Sequence, residues 1–189
     1  MHPMTNIAIR AARDGGRILT RYFERIGALK IETKQRNDYV SDVDRASEEA
    51  IIKTIKRYYP GHAILAEESG LHQGNEYEWL IDPLDGTTNY LHGFPQFAVS
   101  IGLRRRGELL SAVVYDPLRE ELFHATRGEG AFLNERRMRV SVRKGLGGSL
   151  LEVCHPCRRY PGGVTGSTTL RCGRRRGCRG RRTVPRTVR

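Results

Sequence analysis

Apolar and small side chains fall at Ile7, Ala8, Ala11, Ala12, Gly15, Ile18, Leu19, Tyr22, Phe23 and Ile26, three and four residues apart, with Arg10, Arg13, Arg17 and Arg21 between them. That period predicts an amphipathic helix over Met4 to Ile26. A second stripe, Val43, Ala46, Ala50, Thr54, Ile55 and Tyr58, predicts a second helix that Ser41 or Asp42 caps and Pro60-Gly61 ends, with Asp44, Glu48 and Glu49 near its positive end. Beyond residue 61 the period shortens to that of strands. His62 to Ala66 and Trp79 to Ile81 read as short buried strands, separated by a polar loop from Gly70 to Glu78. Phe97, Val99, Ile101 and Leu103 alternate with polar or small neighbours, and Leu109 to Tyr115 follow the charged turn Arg104 to Gly107, which is a β-hairpin pattern. Further strands are expected at Glu121 to Ala125, Ala131 to Leu133 and Met138 to Val140. Two helices followed by antiparallel-looking strands predict a layered α+β fold.

Near Gly148 the periodicity stops. The chain has 189 residues, 38% of them hydrophobic, which is enough for one domain with a buried core. Its net charge of +12 is unevenly placed. Residues 1–150 carry 22 Lys and Arg against 20 Asp and Glu, whereas residues 151–189 carry 11 Arg against the single acid Glu152. The basicity therefore belongs to an Arg/Gly/Cys-rich tail over 151–189, and residues 1–150 are expected to form an ordinary domain. The tail has too few apolar residues to offset chain ordering and is expected to be disordered. Arg, Gly, Pro and Cys are also what GC-rich codons yield out of frame, so a frameshift near residues 149–152 is a second expectation for its origin. Cys154-His155-Pro156-Cys157 with Cys172 and Cys178 offers four thiols, but the second pair is poorly spaced for zinc. Eleven Arg would bind nucleic acid phosphates non-specifically. Tyr160, the tail's one aromatic, makes no stacking platform. No long apolar stretch marks a signal peptide or a membrane span, so the expected compartment is the cytoplasm.

The candidate chemistry lies in Trp79-Leu80-Ile81-Asp82-Pro83-Leu84-Asp85-Gly86-Thr87-Thr88-Asn89-Tyr90. Two carboxylates stand three residues apart, after an apolar run and before a Gly-Thr-Thr turn. Pro83 cannot donate to a sheet ladder, so the chain is expected to leave the sheet with Asp82 at its lip. Hard cations such as Mg²⁺ take oxygen ligands, commonly one or two carboxylates together with waters and substrate phosphate. Gly86 lets backbone approach an anion, and a helix opened by Thr87 or Thr88 would point free N–H groups at it. In isolation the same residues are an Asp-Pro turn and an Asp-Gly turn, both ordinary loop punctuation.

The whole string D-P-L-D-G-T-T-N resembles the signature of the inositol monophosphatase family, Mg²⁺-dependent and lithium-sensitive phosphatases. Ala63-Ile64-Leu65-Ala66-Glu67-Glu68-Ser69 is similar to the family's other metal motif, and Asp38-Tyr39-Val40-Ser41-Asp42-Val43-Asp44 to its D-x-V-[ST]-x-x-D segment. The resemblance, over about residues 5–150, implies the layered αβαβα sugar phosphatase fold with only the N-terminal α+β half present. It implies that Glu67, Asp82 and the Leu84 carbonyl bind a first Mg²⁺, that Asp85 binds a second, and that Glu68 stands behind them. Asp44 resembles the partner that orients the Thr87 hydroxyl so that a water loses its proton and attacks phosphorus; a first-turn helical acid is its plainer description. Asp85, Gly86 and Thr87 would receive the phosphate. Lys34 reads more simply as a surface lysine, and His92 as packing or surface. No Ser-His-Asp order or Cys-His pair points to covalent catalysis.

The family's W-D-x-A-A-G motif, which carries a further metal carboxylate, has no match here: Trp79 is the only tryptophan. Of the two or three Mg²⁺ ions of the intact family, the second would lose a ligand, and little or no turnover is expected of this chain. The implied reaction is hydrolysis of a phosphate monoester, with myo-inositol 1-phosphate first. Fructose 1,6-bisphosphate and adenosine 3′,5′-bisphosphate are the substrates of relatives sharing these motifs. The competing implication is a non-catalytic RNA or transcription antitermination partner. The family is also often homodimeric.

Overall fold

The computed structural model describes residues 2–26, 33–142, 150–153 and 168–171, with side chains over 2–25 and 42–142. The chain divides into two units, Met1–Arg139 and Val140–Arg189. The first begins with helices α1 (Pro3–Ile26) and α2 (Thr33–Tyr58). Strands β1 (Ala63–Ala66), β2 (Gly70–His72) and β3 (Tyr77–Asp85) follow, then the short helix α3 (Thr87–Leu91). Strands β4 (Ala98–Arg105), β5 (Glu108–Asp116), β6 (Glu121–Thr126), β7 (Gly130–Leu133) and β8 (Arg136–Arg137) complete it. One eight-stranded sheet runs in the order β2-β1-β3-β4-β5-β6-β7-β8. Every neighbouring pair is antiparallel except β1 with β3, which is parallel.

The α+β expectation holds, and α1 covers the predicted residues. It packs against α2 and against β4, β5 and β6. Alternation along β4 buries Val99, Ile101 and Leu103 on the helix-covered face, where they meet Ala8, Ala11, Ala12 and Leu19 of α1, Ile51 and Ile55 of α2, and Trp79. Burying a side chain of that size contributes about 1.5–3 kcal/mol, so this layer holds the unit together. Gly15 lets the helices close: a Cβ there would lie 2.8 Å from both Ile51 Cδ1 and Ser47 Oγ.

Several expectations change. Helix α2 begins at Thr33, so Ser41 and Asp42 lie inside it and not at its start. Such residues cost only about half a kcal/mol in a helix interior, which packing overrides. Its buried face also differs from the predicted stripe: Val43, Asp44, Ser47, Glu48, Ile51 and Ile55 are buried, whereas Tyr58 is 41% exposed. Strand β2 occupies part of the expected loop, pairing Leu71 with Leu65.

Strand β3 continues through Pro83. Asp82 pairs with Ser100 and Asp85 with Ala98, so three steps on β3 match two on β4 and the strand bulges. A bulge is where a strand tolerates a residue without N–H, and it turns local side chains out of register. Asp82 therefore lies within the strand, at the start of the bulge, not at a sheet exit. The last strand is Arg136–Arg137 in place of Met138 to Val140, because the chain reverses at Asn134 (φ 54°) and pairs at once with Phe132 and Leu133. Val140 is 94% exposed.

In the second unit, β9 (Leu150–Val153) pairs antiparallel with β10 (Thr168–Arg171). Backbone pairing thus occurs in a segment read from sequence as lacking regular structure; Leu, Val and Thr supply its strand-forming residues. The four cysteines and all the tail arginines except Arg171 lie outside the described residues. Among the described residues, no helix is long and apolar enough to cross a membrane.

Candidate metal and phosphate site

The carboxylates come together because β1 and β3 are parallel. Ala66 pairs with Ile81, and the Glu67 N–H donates to the Ile81 carbonyl at 3.1 Å, continuing the ladder by one residue. Glu67 thereby stands beside Asp82, close enough for the two carboxylates to repel. Through the bulge Pro83 and Leu84 stay buried while Asp85 turns outward and is exposed, and the Leu84 N–H donates to Asp82 Oδ1 at 3.2 Å. Gly86 then adopts φ 93° ahead of α3, and the Tyr90 N–H closes the turn on the Gly86 carbonyl at 3.0 Å. The Tyr90 hydroxyl donates to the Leu19 carbonyl at 2.7 Å, tying α3 to α1.

Helix α2 supplies the fourth side. Asp44, Ser47 and Glu48 lie at i, i+3 and i+4, one face of a helix, and all three are buried. Burial raises the Asp44 carboxyl to about 7, and the charges of Glu68, Glu67, Asp82 and Glu48 push in the same direction. Burial likewise raises Asp82 to about 7, with Glu67 and Asp85 adding repulsion and the Leu84 N–H opposing. Asp44 Oδ1 is buried without a hydrogen-bond partner. A buried acceptor in that state costs about 1–3 kcal/mol, more when charged, and a cation removes the cost.

The donor set is carboxylate and carbonyl oxygen, with no cysteine or histidine, which suits a hard cation such as Mg²⁺ and not zinc. Among the described residues, no three acidic, His or Cys side chains form a ready-made metal-holding group. Mg²⁺ does not require one, since it keeps several waters and takes one or two direct carboxylates. The residues fit the ion.

Glu67, Asp82, Leu84, Asp85, Gly86, Thr87 and Asp44 all fall around the bulge and the adjoining face of α2. One expected link is not made: the Thr87 hydroxyl donates to the Leu84 carbonyl at 3.0 Å, not to Asp44. Glu68 is exposed, with its backbone N–H held by Glu48. His92 is exposed, its Nδ1 2.7 Å from the Thr88 carbonyl oxygen, and the Lys34 side chain lies outside the described residues. Ser47 was not singled out from sequence, and Glu48 was read only as an acid near a helix start. Their spacing from Asp44 was the available signal.

Gly86 is constrained twice, by its positive φ and because a Cβ would lie 3.0 Å from the Gln96 carbonyl oxygen. Gly86→Ala is expected to destabilise the chain by about 1–3 kcal/mol. Urea unfolding measures this, and an unchanged midpoint would show that the turn relaxes freely.

Comparison with known proteins agrees with the fold. The sequence model of the inositol monophosphatase family matches residues 1–170, further than the motif-based resemblance, which stops near residue 150. The Nus factor SuhB of Pseudomonas aeruginosa is 51% identical over 162 residues, covering 84% of this chain and 60% of that protein. The extragenic suppressor protein suhB of Bartonella henselae superposes with a TM-score of 0.69 at 41% identity, over 77% of this chain and 57% of that one. Inositol monophosphatase from Anabaena gives a TM-score of 0.64 at 43% identity, over 76% of this chain and 51% of that one. The chain thus spans between half and three-fifths of the length of these relatives. Its motifs, its sheet and the family match over residues 1–170 place it in the inositol monophosphatase family.

Proposed function

We propose that the chain carries the metal- and phosphate-binding half of a cytoplasmic Mg²⁺-dependent phosphate monoesterase, with myo-inositol 1-phosphate as substrate. The observation that carries this reading is the buried Asp44 carboxylate with an unpartnered oxygen, set among the acids Glu67, Glu68 and Asp82. Glu67, Asp82 and the Leu84 carbonyl would hold the first ion, and Asp85 would face a second. When bound, Mg²⁺ supplies positive charge that orients the phosphate and favours proton loss from the attacking water. The chain's own residues do the rest. The Gly86 and Thr87 N–H groups receive phosphate oxygens, where charge spreads in the transition state. Asp44 would accept a proton through Thr87 once that hydroxyl turns from the Leu84 carbonyl.

Inorganic phosphate should raise the melting temperature only when Mg²⁺ is present; stabilisation independent of Mg²⁺, or none, would overturn this reading. Turnover of myo-inositol 1-phosphate by this polypeptide alone should be slow or absent, since it has no counterpart of the W-D-x-A-A-G carboxylate. Comparison with fructose 1,6-bisphosphate and adenosine 3′,5′-bisphosphate tests the substrate.

The relatives named Nus factor favour a second reading, in which this fold serves transcription as a non-catalytic partner. The 11 arginines of residues 151–189 would then add non-specific affinity for RNA phosphates. RNA binding that weakens steeply with salt and ignores Mg²⁺ would support it.

A further inference from the structure

We propose that Ser47 and Glu48 are positioning residues that fix the two carboxylate-bearing segments against Asp44. The proposal rests on the metal reading above. Glu48 is 3% exposed, and its two oxygens accept separate backbone N–H groups, Oε2 from Glu68 at 2.8 Å and Oε1 from Ser69 at 2.9 Å. Ser47, fully buried, donates from Oγ to the Pro83 carbonyl at 3.2 Å. One turn of α2 therefore grips the turn after β1, which carries Glu67, and the bulge of β3, which carries Asp82 and Asp85.

The chemistry of the grip explains the choice of a carboxylate. Two converging N–H donors need two acceptors on one planar group, and a carboxylate provides them with charge assistance. A glutamine would satisfy one donor and turn its own N–H₂ toward the other. The cost of burying a charge beside other acids indicates that geometry, not helix stability, is what Glu48 serves. Holding both segments from a single helical turn sets the separation of Glu67 and Asp82 before an ion arrives, and partners behind metal ligands characteristically control affinity in this way.

Glu48→Gln should weaken binding of Mn²⁺, used as a paramagnetic probe of the Mg²⁺ site, by about 10–100-fold. Free Mn²⁺ is read by electron paramagnetic resonance. The amide proton signals of Glu68 and Ser69 should move upfield as their charged acceptor is lost. Ser47→Ala should weaken binding less, and keeps the test available if Glu48→Gln does not fold. Ile55→Val, in the core and fully buried, is the control: it should lower the melting temperature without changing Mn²⁺ affinity. Equal Mn²⁺ affinity in Glu48→Gln and the unsubstituted chain would overturn the proposal alone. Equal weakening by Ile55→Val would overturn it too, by reducing the effect to global stability. Absence of Mn²⁺ binding by the unsubstituted chain would overturn the metal reading and this proposal together.

Discussion

Asp82→Asn should make the metal-free chain more stable at pH 8 and remove its response to Mg²⁺. Asp82 is raised from 3.8 to about 7 by burial and by its acidic neighbours, so ionising it at pH 8 works against the fold. With solvent screening at this half-buried site allowed for, a gain of about 1–2 kcal/mol is expected. The amide keeps an oxygen for the Leu84 N–H, so that contact survives. It cannot supply the anionic ligand. Mg²⁺ affinity should fall by about 100-fold or more, beyond the 10–100-fold that removal of an outer partner costs. Thermal unfolding with and without Mg²⁺ measures both effects. A destabilised variant that still gains stability from Mg²⁺ would show that Asp82 is structural.

The second large effect is a pH dependence that Mg²⁺ reverses. Asp44 and Asp82 both stand near 7 in the folded chain against 3.8 when unfolded. Between those values the folded state binds more protons, so this contribution is complete below about pH 4 and is lost as pH rises through 7. His62 acts oppositely. Burial, then Lys56, lowers it below 6.5, and the Trp79 indole N–H donates to its Nδ1 at 3.1 Å, so the neutral ring is favoured and stability is lost as pH falls. Two strongly displaced carboxyls outweigh one histidine between pH 5 and 8. The melting temperature of the metal-free chain should fall across that range, and saturating Mg²⁺ should flatten or invert the fall, because the ion binds the ionised carboxylates. A metal-free chain that grows more stable from pH 5 to 8 would contradict this.

The elements legible in the sequence were those with one strong period. Helix α1 and strand β4 bury their apolar positions as the period implies, since nothing but packing decides those faces, whereas in β5 Leu109 and Val114 are exposed and Ser111 and Asp116 are buried. Helix α2 was misread at its centre because its inward face carries Asp44, Ser47 and Glu48. A polar residue on a core face defeats periodicity, and such conflicts are expected where function competes with packing. Pro83 misled in a related way: it forbids a regular ladder but permits a bulge, and the bulge is what exposes Asp85 beside a buried Leu84. The D-P-L-D-G-T-T-N string located the site. It carried no information on Glu48, whose partners Glu68 and Ser69 lie 20 and 21 residues further along the chain and meet it only in the fold.

The most direct test is calorimetric titration of Mg²⁺ into the chain at pH 7, in two buffers of different ionisation enthalpy. Saturable binding with net proton release is expected, because Asp82, partly protonated there, must ionise to hold the ion and the added positive charge favours ionisation of nearby Asp44, and Asp82→Asn should abolish it. Absence of saturable binding, or binding undiminished in Asp82→Asn, would contradict a metal site at this carboxylate cluster.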